Sequence, residues 1–164
     1  MQIEVVAPEG LADTREAEVD ALLREAYPAQ AGPRRTILTT GDDGDIVGHL
    51  SAYVRTIRID GREVSIGLIG DVATRIAARG RGVAKGMVAR AHDLFRKEDI
   101  RFAMLFAFDP PVYASSGYHA ITAPMTYLNG AGTPRTRVLP GAMVCALTDM
   151  PWPNGEIDLC GPPV

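Results

Sequence analysis

The sequence has no long apolar run, few cysteines and no strong excess of either charge. Across its 164 residues, no stretch approaches the ~20 consecutive apolar residues that a helix needs to cross a bilayer. The formal net charge of −3 argues against a dedicated nucleic-acid-binding protein, which normally carries a basic excess. The first residues, Met-Gln-Ile-Glu-Val-Val, lack the charged and apolar regions of a secretory signal. We therefore expect a cytoplasmic protein that uses neither nucleic acid nor a membrane.

Several common site patterns are also missing. The two cysteines, Cys145 and Cys160, stand 15 positions apart without metal-ligand spacing, so we expect incidental thiols and no metal. Three aspartates lie in Gly41-Asp42-Asp43-Gly44-Asp45, but a solvated hairpin turn explains them better than a metal site. Neither a Walker phosphate loop nor the Rossmann glycine pattern occurs, which removes support from mononucleotide hydrolysis and hydride transfer.

What is present is the composition of one packed domain. Apolar residues make up 46% of the chain and charged residues 23%, as in ordinary globular proteins. The length suits one domain better than two, and the absence of repeats supports a single domain over residues 1–164.

The order of apolar patterns predicts a mixed α/β fold. One helix follows a capping pair at Asp13 and Glu16 and ends before Pro28. A second, amphipathic helix begins at Val83, and a short third helix is capped by Asp109 and ends near Gly117. Strands are predicted at 3–7, 36–40, 46–59, 62–74, 101–108, 121–128 and 142–147.

The segment Arg79-Gly80-Arg81-Gly82-Val83-Ala84 lies between a buried-looking strand and a helix start. Backbone N–H groups and the dipole at a helix N-terminus favour an anion such as a pyrophosphate. Glycines let the backbone approach the phosphates closely, and the arginines add positive charge. By itself the hexapeptide is equally compatible with a helix start that carries solvated arginines.

Three motifs in order resemble the GCN5-related N-acetyltransferases. Arg79-x-x-Gly82-x-Ala84 is similar to that family's Arg/Gln-x-x-Gly-x-Gly/Ala signature, and Val72-Ala73-Thr74 precedes it like the family's Val-x-Val strand end. Tyr113-Ala-Ser-Ser-Gly117-Tyr118 is similar to its Tyr-x-x-x-Gly-Phe element. The resemblance implies a central, mixed but mostly antiparallel sheet flanked by helices.

The resemblance also implies acetyl-CoA as co-substrate and an amine as acceptor. Val72, Ala73 and Thr74 would pair through their backbone with the pantetheine arm. The N–H groups of Arg79, Gly80, Arg81, Gly82, Val83 and Ala84 would hold the pyrophosphate. A backbone N–H near Val72 would polarise the thioester carbonyl, and Tyr113 would be the general acid that protonates the leaving thiolate. Without the motif, Tyr113 would be interpreted as packing a helix against the sheet.

The general base is a more open question. Asp71 is the one acid inside the buried strand, so it either has a structural partner or serves as the base. His49 and His119 are alternatives because an imidazole titrates near neutrality, although each stands alone on a strand.

The spacing also resembles the aminoglycoside 2′-N-acetyltransferases, which have a glutamate two positions before the Val-x-Val element. Here Gly70 occupies that place, and Asp71 would face the other way unless a bulge intervenes. Two other functions remain open. One is transfer of a longer acyl chain, which the small residues Gly67, Gly70, Ala103 and Ala107 do not exclude, and the other is a non-catalytic acyl-CoA-binding module. Residues 28–35 and 129–140 are expected to shape the acceptor side, and a homodimer is possible.

Overall fold

The computed structural model describes residues 1–6, 15, 17–19 and 35–163. Residue 15 and residues 17–19 are helical. Two further helices, α1 (Val83–Lys97) and α2 (Pro111–Ala114), and a 3-10 turn at Ile76–Ala78 follow. The strands are β1 (Gln2–Val6), β2 (Arg35–Thr40), β3 (Ile46–Ile59), β4 (Arg62–Thr74), β5 (Phe102–Phe106), β6 (His119–Ala120), β7 (Pro124–Leu128), β8 (Pro134–Val138), β9 (Ala142–Ala146) and β10 (Ile157–Asp158).

These strands form one sheet in the order β6-β9-β5-β4-β3-β10-β7-β8, with β2 also paired to β3 and β1 paired to β2. The pairs β1–β2, β2–β3, β5–β9, β6–β9, β7–β8 and β10–β3 are antiparallel, whereas β10 and β7 are parallel. The predicted mixed, mostly antiparallel sheet is therefore confirmed. In the part of the chain described here, no helix is both long and apolar enough to cross a membrane.

The chain divides into two compact units, and β3, β4 and α1 each contribute to both. The first unit contains Met1–Tyr53 and Ile69–Asp93. Its core includes the buried side chains Val19, Leu38, Ile46 and Ala73 with Val6 packed against them. Residues 46–52 of β3 are almost entirely buried, as expected for a strand covered on both faces.

The second unit contains Val54–Leu68 and Leu94–Val164. Here the outer part of β3 alternates between buried and exposed residues, so one of its faces meets solvent. The ring of Phe95 fills the space beside Gly67, where a Cβ atom would collide with it. Phe102 and Trp152 meet edge to face, with ring centroids 5.4 Å apart.

Two tight turns in this unit depend on glycine. Gly141 has φ +72°, and a Cβ there would collide with the main chain of Ala107. Gly155 has φ +141°, and a Cβ there would lie 2.5 Å from a carboxylate oxygen of Asp60. That carboxylate accepts a 2.8 Å hydrogen bond from the Glu156 N–H, which ties the C-terminal segment to the β3–β4 turn.

The predicted elements can be compared directly with these bounds. The strands predicted at 46–59 and 62–74 and the helix start at Val83 are confirmed. The strand predicted at 101–108 is confirmed over a shorter range. The capping pair Asp13 and Glu16 and the stop before Pro28 lie outside the described residues.

Two strands and one helix cap differ from the prediction. β8 lies between the last two predicted strands and β10 follows them, and neither was predicted. The N-cap of α2 is Pro110 and not Asp109, and no side chain caps the helix. A proline φ already suits a helix start. Gly117, with φ +87°, lies in the turn that follows α2, as its position predicted.

Candidate active site

A tight loop between β4 and α1 contains the predicted phosphate-binding residues. After the 3-10 turn at Ile76–Ala78, Arg79 returns to an extended conformation. Gly80 and Gly82 then take φ values of +72° and +78°, a left-handed region that glycine enters without steric cost. α1 begins at the next residue, Val83, so both glycines lie immediately before the N-terminus of a 15-residue helix.

The surface of this loop suits an anion. The first N–H groups of a helix lack intrahelical partners and stand at the positive end of its dipole. No atom lies within 4 Å of the place where a Cβ of Gly80 or Gly82 would stand, so the backbone is approachable there. Arg79, Arg81 and Lys85 are exposed around the same point. The loop can therefore offer main-chain donors and positive charge to a pyrophosphate.

Contacts with β3 hold this loop in place. The Arg75 N–H donates to the Val47 carbonyl at 2.9 Å, and the Arg75 Nε donates to the Ile46 carbonyl at 2.7 Å. At the helix start, Gly48 has no side chain to separate β3 from α1; a Cβ there would lie 2.6 Å from Cγ1 of Val83. The loop is thus anchored to β3 both before and after the two left-handed glycines.

The predicted pantetheine-pairing residues form the end of β4. Ala73 is 4% exposed and belongs to the core of the first unit, whereas Val72 and Thr74 are half-buried. Because side chains alternate along a strand, Val72 and Thr74 lie on the opposite face from Ala73. The Thr74 carbonyl accepts a 3.3 Å hydrogen bond from Nε of Arg79, which connects this strand end to the glycine loop.

Asp71 interrupts the regular course of β4. Its φ of +50° is left-handed, not extended, and both Gly70 and Asp71 are buried. This is the backbone conformation found in β-bulges, where the alternation of faces is broken. The left-handed backbone at Asp71 therefore breaks the regular alternation that would otherwise set the direction of its side chain.

Two side chains of β3 contact Asp71. The Tyr53 hydroxyl donates to its Oδ2 at 3.2 Å, and Nδ1 of His49 lies 2.9 Å from its carbonyl oxygen. His49 is fully buried and Asp71 is 9% exposed. The carboxylate thus has a structural partner, which was one of the two alternatives for this residue. Tyr53 was not predicted as part of the site from the sequence, although its four-residue separation from His49 places both side chains on one face of β3.

Tyr113 lies in the second unit, on α2. Its side chain is half-buried, and its ring meets that of Tyr118 edge to face, with centroids 6.3 Å apart. Burial raises the pKa of Tyr118 well above its usual value, so that phenol stays protonated. Tyr113 therefore contacts a neighbouring aromatic ring, and this contact does not conflict with proton donation.

His119, the other histidine considered as a base, is exposed on β6. Among residues 1–6, 15, 17–19 and 35–163, no group of three or more His, Cys, Asp or Glu side chains is placed to hold a metal ion.

A model of the acetyltransferase (GNAT) domain family matches residues 10–121, more than half of the chain. The chain belongs to the GNAT acetyltransferase family. The matched span contains the glycine loop of this GNAT protein, Asp71 and the Tyr113 motif. Comparison with curated proteins gave no match.

Solved structures share the fold of this GNAT protein at low sequence identity. The Escherichia coli GNAT family N-acetyltransferase YhbS, in complex with CoA, has a TM-score of 0.67 and 16% identity over 97% of this chain and 89% of that one. A GNAT family acetyltransferase from Brucella melitensis, in complex with acetyl-CoA, has a TM-score of 0.60 and 16% identity over 95% of this chain and 94% of that one.

Some structural neighbours are much longer than this GNAT protein. A probable N-acyltransferase from Enterococcus faecalis has a TM-score of 0.62 and 16% identity, and the match covers 76% of this chain but 34% of that one. The chain therefore spans about a third of the length of that neighbour. The narrower likeness to aminoglycoside 2′-N-acetyltransferases stays a prediction.

Proposed function

We propose that this GNAT protein transfers the acetyl group of acetyl-CoA directly to a primary amine of a small molecule. The observation that carries the proposal is the open glycine loop at the N-terminus of α1. Gly80 and Gly82 are left-handed and have no atom near their missing Cβ positions. CoA contains a pyrophosphate, and such a loop binds that group through main-chain N–H donors.

The end of β4 supplies the second part of the co-substrate site. In the proposal, Val72–Thr74 pairs through its main chain with the amide-containing pantetheine arm. The half-buried state of Val72 and Thr74 leaves these residues partly accessible. The Val72 N–H is the proposed donor to the thioester oxygen, where negative charge develops during acyl transfer.

The reaction then needs two proton transfers. The neutral amine attacks the thioester carbon, the carbon–sulfur bond breaks, and the acetyl group becomes an amide. Tyr113 is the proposed acid that gives a proton to the departing thiolate; an ordinary phenol, with a pKa of about 10, is protonated at neutral pH. No acyl-enzyme intermediate is required.

Asp71 is the proposed base that takes the proton from the ammonium form of the acceptor, directly or through water. A carboxylate can accept about four hydrogen bonds, so the bond from Tyr53 does not exhaust its capacity. That bond orients the carboxylate, which a base acting at a defined position needs.

The two alternatives have less support. A longer acyl chain would need room beside the small residues of the central strands, but the space next to Gly67 is filled by the ring of Phe95. A non-catalytic acyl-CoA-binding module would have no need of a leaving-group acid, and the Tyr113 motif is retained.

Release of free CoA tests the proposal. The protein would be incubated with acetyl-CoA and a panel of primary amines, with a thiol reagent to report CoA and mass spectrometry to identify an N-acetyl product. A sample without amine corrects for hydrolysis, and butyryl- and octanoyl-CoA test chain length. Acetyl-CoA binding without amine-dependent release across the panel would instead favour the binding module, and the absence of any binding would overturn the proposal.

A further inference from the structure

We propose that His49 is a positioning residue, which holds the peptide group between Asp71 and Val72 and thereby aims the Val72 N–H at the thioester. The inference rests on the proposed function, because it assigns a catalytic purpose to that N–H. It goes beyond that function by giving a role to a residue that need not touch either substrate.

The contact that supports this role is short and completely enclosed. Nδ1 of His49 lies 2.9 Å from the Asp71 carbonyl oxygen, and no part of His49 is exposed. A carbonyl oxygen only accepts hydrogen bonds, so the hydrogen must be on Nδ1. The geometry therefore specifies a hydrogen on Nδ1 of His49.

The backbone at Asp71 explains why such a contact is needed. A residue with φ +50° turns its carbonyl away from the direction that a regular strand would give it. A buried carbonyl needs a hydrogen-bond donor, since an unpaired one costs about as much as a lost hydrogen bond. His49 supplies a donor at this irregular position and so stabilises the left-handed conformation.

The same contact acts on the next residue. The Asp71 carbonyl and the Val72 N–H belong to one planar peptide group. Anchoring the oxygen therefore restricts the direction of the N–H on the other side of that group. A hydrogen bond to the carbonyl also polarises the peptide group and strengthens its N–H as a donor.

The two side chains of β3 that contact Asp71 hold different parts of that residue. His49 holds the main chain of Asp71, whereas Tyr53 holds the carboxylate at Oδ2. Because both lie on the same face of one strand, β3 fixes the proposed base and the proposed oxyanion donor together. This arrangement accounts for a buried imidazole at a place where an aliphatic side chain would be easier to accommodate.

Two substitutions separate positioning from packing. His49→Asn keeps an N–H donor near the position of Nδ1, whereas His49→Leu has a similar volume and no donor. We expect His49→Leu to lower kcat about tenfold, less than the 10²–10³-fold cost of removing an oxyanion donor outright. The Kd of CoA should stay within about threefold, since the glycine loop is untouched. His49→Asn should recover most of the lost kcat, and thermal unfolding of both variants checks that they are folded.

Nuclear magnetic resonance of the unsubstituted protein tests the contact without any activity. Long-range ¹H–¹⁵N correlations should show Nδ1 of His49 as the protonated ring nitrogen, and the Val72 amide resonance should shift in His49→Leu and return towards its original position in His49→Asn. Protonation at Nε2 alone would overturn the proposal, as would an unchanged kcat in folded His49→Leu or equal losses in both variants. If the unsubstituted protein releases no CoA, the proposed function fails, and the resonance data still decide whether His49 holds the peptide group.

Discussion

Replacing Gly82 with aspartate gives the sharpest test of the phosphate loop. No atom lies within 4 Å of the position that a Cβ of Gly82 would take, so a Cβ there meets no steric obstacle from the protein. The φ of +78° disfavours most residues, but Asn and Asp enter this region more readily than others. Gly82→Asn is therefore a matched control, with nearly the same shape and backbone cost but no charge.

The expected difference in CoA affinity between Gly82→Asp and Gly82→Asn follows from the charge of the aspartate alone. Two unit charges 4 Å apart interact by about 4 kcal/mol near a protein surface and by about 1 kcal/mol in bulk water. Because the loop is exposed, a penalty of about 1–2 kcal/mol against the pyrophosphate is reasonable. At 1.4 kcal/mol for each factor of ten, Gly82→Asp should bind CoA about five- to thirtyfold more weakly than Gly82→Asn.

Isothermal titration calorimetry with CoA, at two salt concentrations, measures this difference. The gap between the two variants should narrow at high ionic strength, because salt screens exposed charges. Equal dissociation constants for Gly82→Asp and Gly82→Asn, in variants that melt at similar temperatures, would show that the pyrophosphate binds elsewhere.

Three further predictions concern other parts of the molecule. Tyr113→Phe keeps the ring that contacts Tyr118 and removes the proton donor. The kcat should therefore fall about a hundredfold while the Kd of CoA stays the same. An unchanged kcat would exclude Tyr113 as the acid. Gly141 and Gly132 both have φ +72°, but of these two only Gly141 would bring a Cβ into collision with the main chain. Gly141→Ala should therefore lower the free energy of unfolding by at least about 2 kcal/mol more than Gly132→Ala. Equal losses of the two variants in chemical denaturation would contradict the turn geometry. Burial raises the pKa of the Cys145 thiol and so keeps it protonated at pH 8, whereas Cys160 is exposed. A thiol reagent should therefore label Cys160 quickly and Cys145 only after denaturation. Rapid labelling of both cysteines in the folded protein would refute this prediction.

The central strands could be predicted from the sequence because their signals are local. β3 and β4 are bounded by glycine- and aspartate-containing turns, and their apolar runs are long. β8 and β10 could not be found in this way. The residues of β8 are all exposed, so no buried face leaves an apolar pattern, and β10 has only two residues. Pairing with neighbouring strands, not local preference, defines both.

The candidate site also has parts that could be predicted from local sequence and parts that could not. The glycine loop was predictable because its glycines, its arginines and the following helix are contiguous in the chain. The surroundings of Asp71 were not, since Tyr53 and His49 are separated from it by 18 and 22 positions. A left-handed φ at an aspartate inside a strand also has no reliable sequence signal, so the direction of its side chain could not be decided from alternation.

The sequence by itself determined the family, the mixed α/β class and the place where an anion can bind, because motif spacing, apolar periodicity and helix starts are written in consecutive residues. Only the tertiary structure decided how Asp71 is held. Its hydroxyl partner and its imidazole contact depend on the register between two strands that are joined by a turn. Register brings distant residues within hydrogen-bonding distance, and it follows from the packing of the whole sheet and not from any local stretch of the chain.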